Sequence, residues 1–188
     1  MCSSDLLAMK QVSEGKLPEA LVQFESGLKL NPDDEEAHFN IAFLLARMDR
    51  VPEAIGHYEH CLKLVPDYAE AHNNLGNLLR KQGKVTEAIP HFEAALKQSP
   101  DNSLTHNNLG TALAQSGKVP EATLHFEKAV QLNPSYAEAL YNLGNAYTHQ
   151  GRHEEAARKF TEALRVNPRM EAAAKALQRI QPKLQYRN

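Results

Sequence analysis

The sequence predicts an all-α protein, an α-solenoid of five helix-turn-helix units of 34 residues each, followed by a C-terminal capping helix. Three observations predict it. Prolines recur every 34 residues, as Pro32, Pro66, Pro100, Pro134 and Pro168. An alanine keeps the same step, as Ala20, Ala54, Ala88, Ala122 and Ala156. An aromatic residue follows four positions after each alanine, as Phe24, Tyr58, Phe92, Phe126 and Phe160. Internal repetition at this period is the sequence signature of a repeat protein.

The proline register divides the chain into repeats 1–34, 35–68, 69–102, 103–136 and 137–170, with a capping helix and tail over 171–188. Within a unit, two apolar stripes at helical spacing are separated by a residue that tolerates the left-handed conformation. That residue is Gly15, Asp49, Gly83, Gly117 or Gly151. Because each repeat packs only on its neighbours, we interpret residues 1–188 as a single array.

Polar residues and prolines indicate where the helices begin. Asp33 with Glu36, and Asp67 with Glu70, have the spacing of a capping box at the start of a first helix. Ser135 and Glu138 have the same spacing. Prolines fit the first turn of three second helices, where an amide donor is not needed. These are Pro18, Pro52 and Pro120.

Gly76, Gly110 and Gly144 stand inside first helices, where glycine costs about 1 kcal/mol relative to alanine. Because this cost recurs in three units, we infer that helix packing requires glycine at this position. We expect the missing side chain to let the second helix of the same unit approach closely.

The two ends depart from the repeat. Residues 170–181 keep apolar residues at helical spacing and predict the capping helix, with Pro182 as its end and a frayed tail beyond. Residues 2–6 resemble the translated remnant of a sequencing adapter, in which case the natural protein extends upstream. The other interpretation is a degenerate first helix.

The composition argues against several classes of partner and site. The formal net charge of −2 gives no overall field that would gather phosphate, so nucleic acid is not expected as a partner. The longest uninterrupted apolar run, 41–46, is too short to cross a membrane, and the sequence predicts a soluble, cytoplasmic protein. Cys61 is expected to pack as a small apolar residue rather than to bond to Cys2. No cofactor is expected.

Six of the nine histidines fall in two columns that follow the repeat: His38, His72 and His106, and His57, His91 and His125. Members of one column are separated by the thickness of a helix pair, which is too far for them to share a metal ion. We therefore predict no metal site and expect the histidines to pack between helices or to face solvent.

Leu75-Gly76, Leu79, Ala88, Phe92, Ala95 and Pro100 together resemble the tetratricopeptide repeat signature, and the match recurs in the next two units and covers nearly the whole chain. The resemblance implies a right-handed superhelix whose concave face is lined by the first helix of every unit. It also implies a scaffold for protein–protein interaction.

One polar column is poorly explained by packing. Asn40, Asn74, Asn108 and Asn142 lie inside four first helices, although asparagine is a poor helix former. In the tetratricopeptide family this column faces the groove, and the pattern is similar to the asparagine-lined superhelix of O-linked N-acetylglucosamine transferases. The resemblance implies that the carboxamides bind the backbone of an extended peptide.

Other asparagines extend this predicted groove: Asn77 and Asn145 one turn on, and Asn73 and Asn107 beside the column. The alternative is that the amides bond between neighbouring helices or to water.

The family's cationic clamp for C-terminal carboxylates is absent, since the corresponding positions carry Asp5, Glu36, Phe39, Glu70 and Asn74. No residue pattern indicates catalysis. We therefore predict a non-catalytic scaffold that binds an extended peptide or a partner helix in the concave groove. One alternative is the substrate-recognition arm or fragment of a larger enzyme, such as a glycosyltransferase. Another is an RNA-binding helical repeat that uses the basic column Lys16, Arg50, Lys84, Lys118 and Arg152.

Overall fold

The structure is a computed structural model that describes the backbone of residues 3–185 and the side chains of residues 7–182. Eleven α-helices fill the described range: α1 (Ser3–Ser13), α2 (Leu17–Leu30), α3 (Glu35–Arg47), α4 (Val51–Leu64), α5 (Ala69–Lys81), α6 (Val85–Gln98), α7 (Ser103–Gln115), α8 (Val119–Leu132), α9 (Ala137–His149), α10 (His153–Val166) and α11 (Glu171–Gln185). No strand occurs between residues 3 and 185, which confirms the all-α prediction. Cys2, the side chains of residues 3–6 and the end of the predicted tail lie outside the described residues.

The turn inside each unit has the predicted left-handed residue. Asp49 has φ 60°, and the four glycines at the same position have φ between 73° and 83°. The next residue closes the helix end, since the amide of Lys84, for example, donates to the carbonyl of Leu79 at 3.0 Å. The hydrogen bond reaches back five residues, as in a Schellman motif, and satisfies a carbonyl at the end of the helix.

The glycines inside the first helices make room for an aromatic ring of the same unit. A Cβ atom added to Gly76 would lie 2.9 Å from Cε1 of Phe92, and one added to Gly144 would lie 2.5 Å from Cε1 of Phe160. Gly110 faces Phe126 in the same way. Real Cβ atoms do not approach carbon this closely, so the packing explanation for these glycines is confirmed.

The odd-numbered helices form one layer and the even-numbered helices form another, and from α3 onward successive helices lie closer together in the first layer. The two helices of a unit pack together, and each second helix packs on the first helix of the next unit. Successive odd-numbered helices from α3 to α11 also contact one another. Between residues 3 and 185, no even-numbered helix comes within 8 Å, Cα to Cα, of the next even-numbered helix. The array therefore curves toward the odd-numbered helices, which the family resemblance places on the concave face.

The predicted helix starts are partly correct. Prolines stand in the first turn of α2, α4 and α8, as expected. The capping boxes are wrong. Asp34 rather than Asp33 caps α3, accepting from the amide of Ala37 at 2.8 Å. The helix α5 begins after Tyr68, whose amide donates to the carbonyl of Val65.

The turn before α5 contains one more residue than a capping box that starts at Asp67 allows. The helix α9 likewise begins after Tyr136, and neither α5 nor α9 has a side-chain cap. Asn102 caps α7, which the sequence analysis did not predict.

The last helix, α11, packs on α10 and α9 and buries Ala173, Ala176 and Ile180. This confirms the capping helix. The predicted end at Pro182 is wrong, because α11 continues through the proline to Gln185. Proline at this position leaves the carbonyl of Gln178 without its amide donor, a cost that proline carries anywhere beyond the first turn of a helix. None of the helices within residues 3–185 combines the length and the apolar character that crossing a bilayer requires.

Candidate functional site

The inner surface of the array holds an open cavity of about 380 Å³. We name it the groove cavity. Its lining comes mainly from four successive odd-numbered helices, α1, α3, α5 and α7. Its size and its mainly apolar lining are those of a binding site for side chains or small ligands.

Three apolar side chains give the groove cavity its character. Met9, Phe43 and Leu104 line it and are exposed to solvent. None of the three is among the residues predicted from the sequence. A signal for two of them was present, because Met9 and Phe43 occupy the repeat column that holds Asn77 in the third unit. The groove is therefore apolar where the first units contribute to it.

The first two members of the predicted asparagine column face this apolar surface. Asn40 and Asn74 are half-buried and line the groove cavity. The other two members contact neighbouring helices. Asn108 is 8% exposed and donates from Nδ2 to Oδ1 of Asn73 at 3.0 Å. Asn142 donates in the same way to Asn107, also at 3.0 Å.

The accepting asparagines are themselves buried and held by further bonds. Asn73 also accepts from Oγ1 of Thr105 at 3.2 Å, and Asn107 donates to the hydroxyl of Tyr136 at 3.3 Å. Asn107 is 1% exposed. These amides link one first helix to the next, which is the alternative role that the sequence analysis left open for this column.

The remaining predicted residues lie farther along the inner layer. Asn142 and Asn145 line a second cavity of about 270 Å³, together with Thr111. Asn77 is half-buried on α5. Cavity lining and bonding between repeats are not exclusive, because Asn142 lines a cavity and also donates to Asn107.

The comparisons with known proteins agree with this geometry. Models described as tetratricopeptide repeat match residues 33–97, 67–135 and 107–169, and a model described as TPR repeat matches 11–49. The chain belongs to the tetratricopeptide repeat family. No curated protein matches the sequence.

Solved structures of tetratricopeptide repeat proteins have the same fold. YrrB is 22% identical with a TM-score of 0.80, and the alignment covers 93% of this chain and 90% of YrrB. MamA from Desulfovibrio magneticus RS-1 is 22% identical with a TM-score of 0.81, covering 90% of this chain and 98% of that one. TTC0263 from Thermus thermophilus is 23% identical with a TM-score of 0.69, covering 93% and 97%. At these identities the likeness shows the fold alone.

The histidine columns of this tetratricopeptide repeat protein meet in the second, third and fourth units. Nδ1 of His38 lies 2.9 Å from Nδ1 of His57, and Nε2 of His38 lies 3.0 Å from the carbonyl oxygen of Pro32. The carbonyl can only accept, so His38 donates from Nε2, and its Nδ1 accepts from His57 when both rings are neutral. The same arrangement recurs in the next two units: His72 with His91, and His106 with His125.

These contacts bear out the expectation of packing between helices. Burial lowers the pKa of His38, His57, His91, His106 and His125, so the neutral forms are favoured. Within the part of the chain that the structure describes, no group of three or more histidine, cysteine or acidic residues could hold a metal ion.

Cys61 is fully buried, and burial raises the pKa of its thiol to about 11. A thiol with this pKa is neutral at physiological pH and is a poor nucleophile. Its side chain belongs to the apolar core between the two helix layers.

Proposed function

We propose that this tetratricopeptide repeat protein is a non-catalytic scaffold that binds an extended peptide or a partner helix in its concave groove. The observation that carries the proposal is the groove cavity, where exposed apolar side chains from several helices stand beside half-buried amides. Exposed apolar side chains gathered in one concave site mark a contact surface for another molecule. YrrB, which has the same fold, is described as a TPR protein with an unusual peptide-binding site.

The asparagines contribute unequally to this proposed site. A carboxamide offers two donors and an acceptor, so Asn40 and Asn74 have the chemistry to pair with the backbone of a bound segment. Asn77 and Asn145 extend the same surface along the inner layer. Asn108 and Asn142 contribute less to binding, because each already gives an Nδ2 donor to the preceding first helix.

The test uses peptides selected from a random phage-displayed library against the intact chain. Their affinity is then measured by fluorescence anisotropy for three variants. Phe43→Asp places a charge in the groove cavity, and Asn40→Ala with Asn74→Ala removes its amides. Leu124→Asp is the matched control, because Leu124 is exposed on the outer helix α8.

The expected result is a loss of affinity of at least tenfold for Phe43→Asp, a smaller loss for the asparagine double variant and wild-type affinity for Leu124→Asp. The substitution removes the apolar ring from the contact, and taking its carboxylate out of water costs at least this much even with Arg47 four residues along the helix. Selected peptides that bind Phe43→Asp like wild type, or that fail to bind Leu124→Asp, contradict the proposal.

The alternative of a substrate-recognition arm of a larger enzyme uses the same groove. It is tested by reading the genomic sequence on both sides for a continued open frame that encodes a nucleotide-sugar domain. The RNA-binding alternative is weakened by ion pairs that neutralise the basic column. Arg152 bonds to Glu155 at 2.6 Å, and Arg50 pairs with Glu53. Measurable affinity for single-stranded RNA that falls steeply with salt would favour that alternative.

A further inference from the structure

Three exposed apolar side chains converge on the groove cavity from separate helices. Met9 is 49% exposed, Phe43 is 40% exposed and Leu104 is 48% exposed. They belong to α1, α3 and α7. A single exposed apolar residue is ordinary, but three around one cavity form a patch that binding would remove from water. The cavity therefore fits apolar side chains of a partner.

A different cavity, with an acidic lining, adjoins the groove cavity. It has a volume of about 410 Å³ and shares Ala69 and Glu70 with the groove cavity. Its other charged lining residues are Glu35, Glu36 and Asp67, and no cationic side chain of the described residues lines it. All four carboxylates are exposed, and none of them forms an ion pair with another described residue. We name these four residues the acidic rim.

Charged residues of opposite sign lie at the two ends of α3. Glu35 and Glu36 stand in the first turn of α3, and Arg47 stands in its last turn, about 18 Å away along the helix axis. The guanidinium of Arg47 lies 5.8 Å from the ring centroid of Phe43, at the border of the groove cavity. Along α3 the acidic rim therefore lies on one side of Phe43, and the single cation Arg47 lies on the other.

We infer that the partner of this groove is a segment whose apolar side chains enter the groove cavity and whose adjoining residues are lysine or arginine, held by the acidic rim. The inference rests on the proposed function and adds the chemistry of the partner to it. Unpaired carboxylates attract cations and repel acidic segments or phosphate, so charge complementarity decides between these classes of partner.

The experiment compares three fluorescein-labelled peptides of equal length with the same apolar residues. On one side of those residues the peptides carry three lysines, three serines or three glutamates. Anisotropy titrations with the intact chain are expected to rank lysine above serine above glutamate. The expected gain of the lysine peptide over the serine peptide is about tenfold at low salt, since exposed ion pairs contribute up to about 1 kcal/mol each. This gain shrinks when the salt concentration exceeds about 0.5 M.

Matched variants locate the effect. Glu35→Gln with Glu36→Gln removes two rim charges that do not line the groove cavity, so it should reduce the lysine preference to a few-fold and leave the serine peptide unchanged. Glu19→Gln with Glu87→Gln removes the same charge from exposed positions on the outer helices α2 and α6, and should keep the full preference. A preference that the second pair abolishes, or that the first pair leaves intact, overturns the inference.

Other outcomes separate this inference from the proposed function. Equal affinity of the three peptides, together with loss of all binding in Phe43→Asp, overturns the acidic-rim inference and leaves the groove as the binding site. Binding of all three peptides that is insensitive to Phe43→Asp overturns both. Sedimentation of the chain alone as a dimer that Phe43→Asp dissociates would identify a second copy as the occupant and would also overturn the inference.

Discussion

The side-chain amide of Asn108 donates a hydrogen bond of 3.0 Å to Oδ1 of Asn73, which stands 35 residues earlier on the preceding first helix. The separation is one residue longer than the repeat, so the bond joins the sixth position of one unit to the fifth position of the unit before it. Asn107 and Asn142 make the same bond in the next pair of units. Polar bonds of this kind hold the register of successive repeats along the inner layer.

Asn108→Ala should therefore destabilise the protein by about 1 kcal/mol, because a buried acceptor loses a partner while the helix gains only a small propensity term. The measurement is the urea denaturation midpoint followed by circular dichroism. Asn40→Ala is the matched control at the same repeat position and should keep or slightly raise the midpoint. Equal midpoints for the two variants would show that the bond between repeats contributes no stability.

Gly110→Leu should cost about 1 to 3 kcal/mol by overpacking. A Cβ atom at this position would lie 2.7 Å from Cε1 of Phe126 and 3.1 Å from the carbonyl oxygen of Ala122. Gly56→Ala provides the contrast, since a Cβ atom at Gly56 would have no neighbouring atom within 4 Å. Alanine there should stabilise α4 by about 1 kcal/mol. An unchanged thermal midpoint for Gly110→Leu would refute the packing account of the three glycines.

Pro90→Ala should stabilise the protein by about 2 kcal/mol, the helix-interior cost of proline less the entropy that proline removes from the unfolded chain. Pro90 is exposed inside α6, and alanine would supply an amide donor for the carbonyl of Thr86. Pro120→Ala, in the first turn of α8, should give no such gain. Differential scanning calorimetry of both variants checks the prediction, and a lower midpoint for Pro90→Ala would contradict it.

The histidine pairs should make stability depend on pH. Burial and the neighbouring imidazole lower the pKa of His125, and burial lowers the pKa of His106, from the ordinary value of 6.5. The unfolded chain then binds more protons than the folded chain in acid. The contribution of this pair to the free energy of unfolding is therefore fully present above about pH 6.5 and is lost as the pH drops below it. Carboxylates and a lysine also face this pair, namely Asp101, Glu121 and Lys128.

The fifth unit provides a natural replacement, because its corresponding residues are Leu140 and Lys159. His106→Leu with His125→Lys should reduce the difference between urea midpoints measured at about pH 7.5 and about pH 5.5, a range in which histidine is the side chain that titrates. A double variant with the full wild-type difference would mean that this pair does not contribute to the acid sensitivity.

Most of the fold could be predicted because successive units place the same residue types at the same turn and packing positions. Gly83 and its counterparts end the first helices, and Gly76, Gly110 and Gly144 leave room for an aromatic ring. Helix boundaries were less predictable, since the turn before α5 is closed by a backbone bond from Tyr68 rather than by a side chain. One extra turn residue was enough to move the helix start away from the predicted capping box.

The sequence by itself determined the period, the paired helices and the family, because these follow from spacing within a unit. Only the tertiary structure decided what the asparagines do. Asn108 and Asn142 face an asparagine of the preceding unit, whereas the residue 35 positions before Asn74 is Phe39. Asn74 therefore lacks the amide partner on the preceding first helix that Asn108 and Asn142 have, although it occupies the same repeat column. A repeat column fixes the position of a residue on its helix. The hydrogen-bond partner on the neighbouring first helix depends on how one unit stacks on the next.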